Sequence, residues 1–246
     1  MSGSKPLKKA PQKSTGLHVG EATPGVKKVD PILVADHVSR KFGGLVAVDV
    51  EHVEIPRGAI TALIGPNGAG KTTTLRSITG VRPPRNGTIR LDGEDITGDD
   101  VATISRRGIK LVPEETRPFH ELTVRENLTL GVDAQRENNW TTDRVLDEFP
   151  RLNERIGQDA GTLSGGEQQM LVIGMALVGN PRCILLDEPM EGLAPQIVDR
   201  IVKIINRIRE AGVPTLLVEQ NVKTCLDLID RGYFLHKGEI KLAGTA

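Results

Sequence analysis

One stretch limits what this chain can become: Gly65-Pro66-Asn67-Gly68-Ala69-Gly70-Lys71-Thr72-Thr73. An apolar run, Ile60 to Ile64, precedes it, and a helix-competent run, Thr73 to Ile78, follows. The spacing is G-x-x-x-x-G-K-[ST] in a strand-to-helix setting, which identifies a phosphate loop. Glycines at 65, 68 and 70 free the backbone for conformations barred to other residues and let its N–H groups converge. Those donors, with the start of the following helix, form a cradle for phosphate oxygens. Lys71 is placed to reach β- and γ-phosphates, and the Thr72 hydroxyl to take one position on Mg²⁺. The stretch predicts a nucleotide-binding protein built on an α/β layered fold.

The remaining composition fits a buried parallel sheet. Aromatic residues are only 2% of the 246 residues, so Val, Ile and Leu must fill the interior. A net charge of +0 argues against a generally basic nucleic-acid binder, and no nucleic-acid partner is expected. Two cysteines, Cys183 and Cys225, suggest neither a disulfide framework nor a metal site. No apolar run approaches the roughly 18 residues that a membrane span needs, so any spans must come from other chains.

Residues 1–30 read as a disordered basic tail. Six lysines face one acid, Glu21, before Asp30, among Pro, Gly, Ser and Thr, a mixture that buries too little apolar surface to order itself. An ordered domain is expected over residues 31–246, with strands at Ile32–Ala35, within 45–55, and at Ile60–Ile64, Thr88–Leu91, Ile109–Val112, Cys183–Asp187 and Thr215–Val218. Thr123 and Glu126 have capping-box spacing, and Thr142–Phe149 reads as a helix that Pro150 stops. Residues from about 95 to 165 therefore look like an inserted helical subdomain. A long helix beginning near Pro195 carries Ile197, Ile201, Ile204, Ile205 and Ile208 on one face and stops at Gly212. A helix over Val222–Ile229 and a hairpin around Lys237-Gly238 complete the chain.

Two further stretches carry chemistry. Cys183-Ile184-Leu185-Leu186-Asp187-Glu188-Pro189 is an apolar strand ending in two acids. Asp187 is placed to hold Mg²⁺, and Glu188 to polarise an attacking water as general base. In Leu163-Ser164-Gly165-Gly166-Glu167-Gln168-Gln169, Ser164 and Glu167 again have capping-box spacing. Two adjacent glycines in a first turn weaken a helix, so they point to close approach of a phosphate to the backbone.

A phosphate loop, an LSGGEQ stretch and an ILLDEP stretch in this order resemble the ATPase subunit of an ABC transporter, from about residue 31 to the end. From Gly161 onward the chain is most similar to the LivF-type subunit of branched-chain amino acid importers. Gly161-Thr162-Leu163-Ser164-Gly165-Gly166-Glu167-Gln168-Gln169-Met170-Leu171, Gly192-Leu193-Ala194-Pro195 and Leu217-Val218-Glu219-Gln220-Asn221 carry that likeness. Residues from about 40 to 73 look more like the companion LivG-type subunit. The chain also ends at Gly244-Thr245-Ala246, where relatives usually continue, which suggests a hybrid history or a clipped gene model.

The resemblance implies a P-loop NTPase fold of the ABC ATPase kind, with a β-rich N-terminal portion. It implies ATP and Mg²⁺ as ligands, and a peripheral position on the cytoplasmic face of the inner membrane. The implied partners are a second, LivG-type cassette, two transmembrane permease subunits and, indirectly, a periplasmic or lipid-anchored substrate-binding protein. Ser164, Gly165, Gly166 and Glu167 would face ATP held by the second cassette, and Phe42 would lie against adenine. Three positions depart from the wider family's pattern. Glu114 stands where a glutamine is common, Gln220 where a histidine is common, and Ala194 where an aspartate is usual. Glu114 and Gln220 are nonetheless expected beside Glu188 in catalysis. A soluble ABC ATPase, or a cassette that binds ATP with little turnover, are the alternatives.

Overall fold

The computed structural model describes residues 30–43, 45–133 and 139–245, with only the backbone of residues 42, 45 and 224. The expected tail therefore lies outside the described residues except for Asp30, whose carboxylate pairs with Arg57.

Two sheets share the work of burial. The first is antiparallel, in the order β2-β1-β4-β5, from β1 (Pro31–Phe42), β2 (Leu45–Pro56), β4 (Asn86–Leu91) and β5 (Glu94–Asp95). It forms the expected β-rich N-terminal portion. The second has the order β10-β9-β3-β8-β7-β6, from β3 (Ile60–Ile64), β6 (Ile109–Val112), β7 (Cys183–Asp187), β8 (Thr215–Glu219), β9 (Arg231–His236) and β10 (Glu239–Thr245). Its strands from β9 to β6 run parallel, and β10 returns antiparallel.

Every residue of β3, β7 and β8 is buried, as covering a parallel sheet on both faces requires. Alternation then divides them between two cores. Ile60, Ala62, Ile64, Ile184, Leu186 and Leu217 face the helices, whereas Leu63, Leu185, Leu216 and Val218 face the antiparallel sheet. The helices on the first face are α3 (Val124–Gly131), α4 (Thr142–Glu148), α5 (Pro150–Asn153), α6 (Gly165–Val178), α7 (Pro195–Glu210) and α8 (Val222–Leu226). On the other face, α1 (Lys71–Ile78) and α2 (Val101–Arg107) pack with the antiparallel sheet.

Local signals set most boundaries. Both capping boxes form: Thr123 and Glu126 open α3, and Ser164 and Glu167 open α6. In α7, Ile201, Ile204, Ile205 and Ile208 are buried, while Ile197 is only half-buried. Pro150 stops the helix as expected and does one thing more. The helix ends before it, at Glu148, and Pro150 opens α5 as its first residue. Phe149, pushed out of helical geometry by the following ring (φ −121, ψ 69), makes the break, and a first-turn proline gives up no hydrogen bond. The helix expected over Val222–Ile229 is confined to Val222–Leu226. Within the span read as a helical lobe, β6 pairs with β7 and belongs to the main sheet.

Candidate functional site

The phosphate loop leaves the C-terminal end of β3, which lies between β8 and β9 and runs parallel to both. Such sheet ends are where open α/β sheets place ligands. Gly70 caps α1 with φ 106, a conformation that L side chains avoid, and a Cβ there would lie 2.6 Å from the Ala47 carbonyl oxygen. Gly65 has a different reason to be glycine. Its φ is not positive, but a Cβ would lie 2.3 Å from the backbone oxygen of Leu235. The loop is therefore pressed between β2 and β9.

Lys71 is 4% exposed, and its ammonium donates to the carbonyls of Gly65 (2.8 Å) and Pro66 (3.2 Å) and to Glu188 Oε1 (3.0 Å). An ammonium has three donors, and all three are occupied. Glu188 holds φ 48, unusual for a residue with a side chain. Its N–H donates to Val218 O at 3.0 Å, which fixes the turn after β7. Burial pushes the Glu188 carboxyl up, but hydrogen bonds with Glu191 and Lys71 outweigh that and hold it below its ordinary value. Glu191 is the weaker acid of the pair: its hydrogen bond to Glu188 raises it to about 7. Negative charge in the pair is thus favoured on Glu188, the carboxyl that faces Lys71.

Asp187 is 2% exposed. Burial raises its carboxyl to about 6, partly countered by a hydrogen bond from Thr72. Its Oδ1 is buried without a hydrogen-bond partner. An orphaned carboxylate oxygen next to a hydroxyl is a donor set for a small hard cation, since Mg²⁺ is commonly held by one or two protein oxygens, with phosphates and water completing its shell. Thr72 and Asp187 therefore fit Mg²⁺.

Lys71, Thr72, Thr73, Asn67, Gly68, Gly70, Glu114 and Glu188 all line one cleft of about 830 Å³. Pro66 is exposed on the loop and Ala69 is buried beneath it. Gln220 lies instead in an adjoining cleft of about 490 Å³, with Glu188, Glu191 and Glu219. Phe42 ends β1, but its side chain falls outside the described residues. Ser164, Gly165, Gly166 and Glu167 are absent from the phosphate cleft's walls and open α6.

The two signature glycines have different surroundings. Gly165 is open, whereas a Cβ on Gly166 would lie 2.5 Å from Ile197 Cγ2. Packing against α7 thus gives Gly166 a structural reason to be glycine, whereas the space beside Gly165 is open. Alanine at 166 is expected to cost about 1–3 kcal/mol by forcing Ile197 aside, while alanine at 165 should leave the denaturant midpoint unchanged or raised. Equal midpoints for the two variants would contradict this division. Glu167 is engaged locally: its Oε2 accepts from the Ser164 N–H (2.9 Å) and hydroxyl (2.8 Å), and its Oε1 pairs with Arg155 at 3.0 Å.

Sequence reasoning passed over Glu191, Glu219 and Lys237, because isolated charges in turns and at strand ends carry no periodic signal. Glu219 is 4% exposed, and burial raises its carboxyl to about 7, although it accepts the N–H groups of Met190 and Gln220. The folded form therefore holds its proton more tightly than the unfolded chain. The stability this contributes is full below the unfolded value and is lost as pH rises through about 7. Glu219→Gln should accordingly gain about 1–3 kcal/mol over wild type at pH 8 and nothing below about pH 4.5. Melting curves at both pH values test this, and an unchanged difference across them would contradict it.

The family model described as ABC transporter matches residues 49–191. The chain is 46% identical over 216 residues to the high-affinity branched-chain amino acid transport ATP-binding protein BraG of Pseudomonas aeruginosa, covering 87% of this chain and 93% of that protein. It is 40% identical over 200 residues to a probable branched-chain amino acid transport ATP-binding protein LivF of Archaeoglobus fulgidus, covering 78% and 83%. Its fold is similar to a solved ATP-binding cassette of an ABC transporter in its ADP conformation, with a TM-score of 0.80 and 29% identity over 88% of this chain and 91% of that one.

Proposed function

Since this chain belongs to the ABC transporter family of ATP-binding proteins, we propose that it is the ATP-hydrolysing subunit of an importer for branched-chain or related amino acids. The observation that carries the reading is the single cleft joining Lys71, Thr72 and Glu188, with Asp187 hydrogen-bonded to Thr72. The names of the two relatives support the cargo.

On this reading the loop N–H groups and Lys71 take the phosphates of ATP. Thr72 and Asp187 would hold Mg²⁺, which when bound neutralises charge on the phosphate oxygens. Lys71 has no spare donor, so a phosphate oxygen reaching it displaces Glu188 or a loop carbonyl. Displacing Glu188 gives that carboxylate free lone pairs to draw a proton from the attacking water. Hydrolysis then releases ADP and phosphate. Gln220 and Glu114 would help position water and phosphate; an amide at 220 can hydrogen-bond in both senses but cannot carry a proton as imidazole does. Ser164 and Gly165, exposed at the start of α6, would meet ATP bound by a second, LivG-type cassette.

No helix among the described residues is long and apolar enough to cross a membrane. The reading accordingly places the chain on the cytoplasmic face of the inner membrane, bound to two permease subunits that a substrate-binding protein serves. On this reading residues 31–246 would make one ATPase domain with a helical lobe at about 95–165, a span from which β6 pairs with β7 in the main sheet. Mass spectrometry of what co-purifies with the tagged chain from detergent-solubilised membranes tests the assembly. Two permeases and an unlike cassette are expected; a chain recovered without membrane subunits, under conditions where BraG-type relatives retain theirs, would contradict it.

A further inference from the structure

We propose that Lys237, in the turn between β9 and β10, is a second cation for the nucleotide, acting on its phosphates at the outer end of the cleft. The proposal rests on the ATP reading above. Lys237 lines the same cleft as Lys71, and its neighbour Gly238 lies against Ala47 and Val48 of β2. Its turn is fastened to the phosphate loop: the Gly238 N–H donates to Ala69 O at 2.8 Å, and the Gly238 carbonyl accepts from Asp49 N at 2.7 Å. The side chain is thus carried by a fixed backbone, and Lys237 is in no ion pair among the described residues.

The backbone supplies a second argument. His236 pairs with Glu239, so Lys237 and Gly238 form a two-residue hairpin loop, with φ 48 and 84. Two positive φ values in such a loop favour Asn-Gly. Lysine at the first position is a strained choice that the turn itself does not reward. The charge balance explains what the side chain contributes. Glu114 and Glu188 also line the cleft, and Lys71 is already paired with Glu188. These two carboxylates weaken the pull that Lys71, the helix start and a bound Mg²⁺ would exert on an incoming polyanion. Lys237 supplies it at the mouth, where an exposed cation attracts a polyanion and shortens its search.

Lys237→Asn separates binding from folding, because asparagine suits the turn better than lysine. The variant should melt at the wild-type temperature or above, yet bind both ATP and ADP about three- to tenfold more weakly at low salt. The loss should shrink in 0.5 M salt, roughly beyond the reach of surface charge, and Lys237→Arg should restore affinity. An unchanged dissociation constant in Lys237→Asn, or a loss indifferent to salt, would overturn the role. A loss confined to ATP would overturn its placement at the outer end and put the contact at the γ-phosphate. A wild-type chain that bound no ATP would instead overturn the nucleotide reading itself.

Discussion

Glu188→Gln is expected to lower ATP turnover about 10²–10⁴-fold, with ATP affinity equal to wild type or a few-fold tighter. The two effects come from the same contact. In the wild type, Glu188 occupies one donor of the Lys71 ammonium at 3.0 Å and competes with phosphate for it. A neutral amide competes less, because a charge-assisted hydrogen bond is roughly twice as strong as a neutral one. The same amide has no basic lone pair of carboxylate strength for the attacking water. Removing the Glu188 charge also withdraws one cause of the raised Glu191 carboxyl, although the amide can still accept its hydrogen bond, so Glu191 should shift part of the way back toward its ordinary acidity. Steady-state hydrolysis and calorimetric ATP titration, run on one preparation, check both halves. Turnover within a factor of two of wild type would remove Glu188 from the role of base.

Lys71→Ala is expected to have the second large effect, a loss of ATP affinity of at least about 100-fold. Charge-assisted contacts to phosphate oxygens disappear, and only loop N–H groups and the start of α1 stay to hold the anion. The variant should also lose about 1–3 kcal/mol of stability, since it leaves the carbonyls of Gly65 and Pro66 and the Glu188 carboxylate without their buried donor. Equilibrium dialysis with ATP measures the affinity, and urea unfolding measures the stability. Wild-type affinity in a folded Lys71→Ala chain would contradict the assignment of the loop.

Much of this site was legible because its residues come in continuous runs. Ile60–Ile64, Cys183–Leu186 and Thr215–Val218 are runs dominated by apolar residues, and each lies in a fully buried strand. Both capping boxes were readable from a spacing of three residues. What depends on tertiary approach was not. Gly166 has a packing reason to be small, because Ile197 of another helix lies against it, and its sequence neighbours gave no sign of that. Gly65 answers to a carbonyl on β9, far along the chain. Pro150 stops one helix and starts the next, because the same ring that bars Phe149 from helical geometry suits a first turn. Lys237 and Glu191 reach the site from turns that sequence order separates from Lys71, and no local pattern marks them.

The most direct measurement is uptake of radiolabelled leucine by the assembled importer in proteoliposomes, with this chain as wild type or as Glu188→Gln. ATP-dependent accumulation with the wild type, and none with a Glu188→Gln complex that still binds ATP, is the predicted result. A wild-type complex that hydrolyses ATP without moving leucine, isoleucine or valine would contradict the proposed cargo. Equal uptake by both complexes would contradict the proposed coupling to hydrolysis at Glu188.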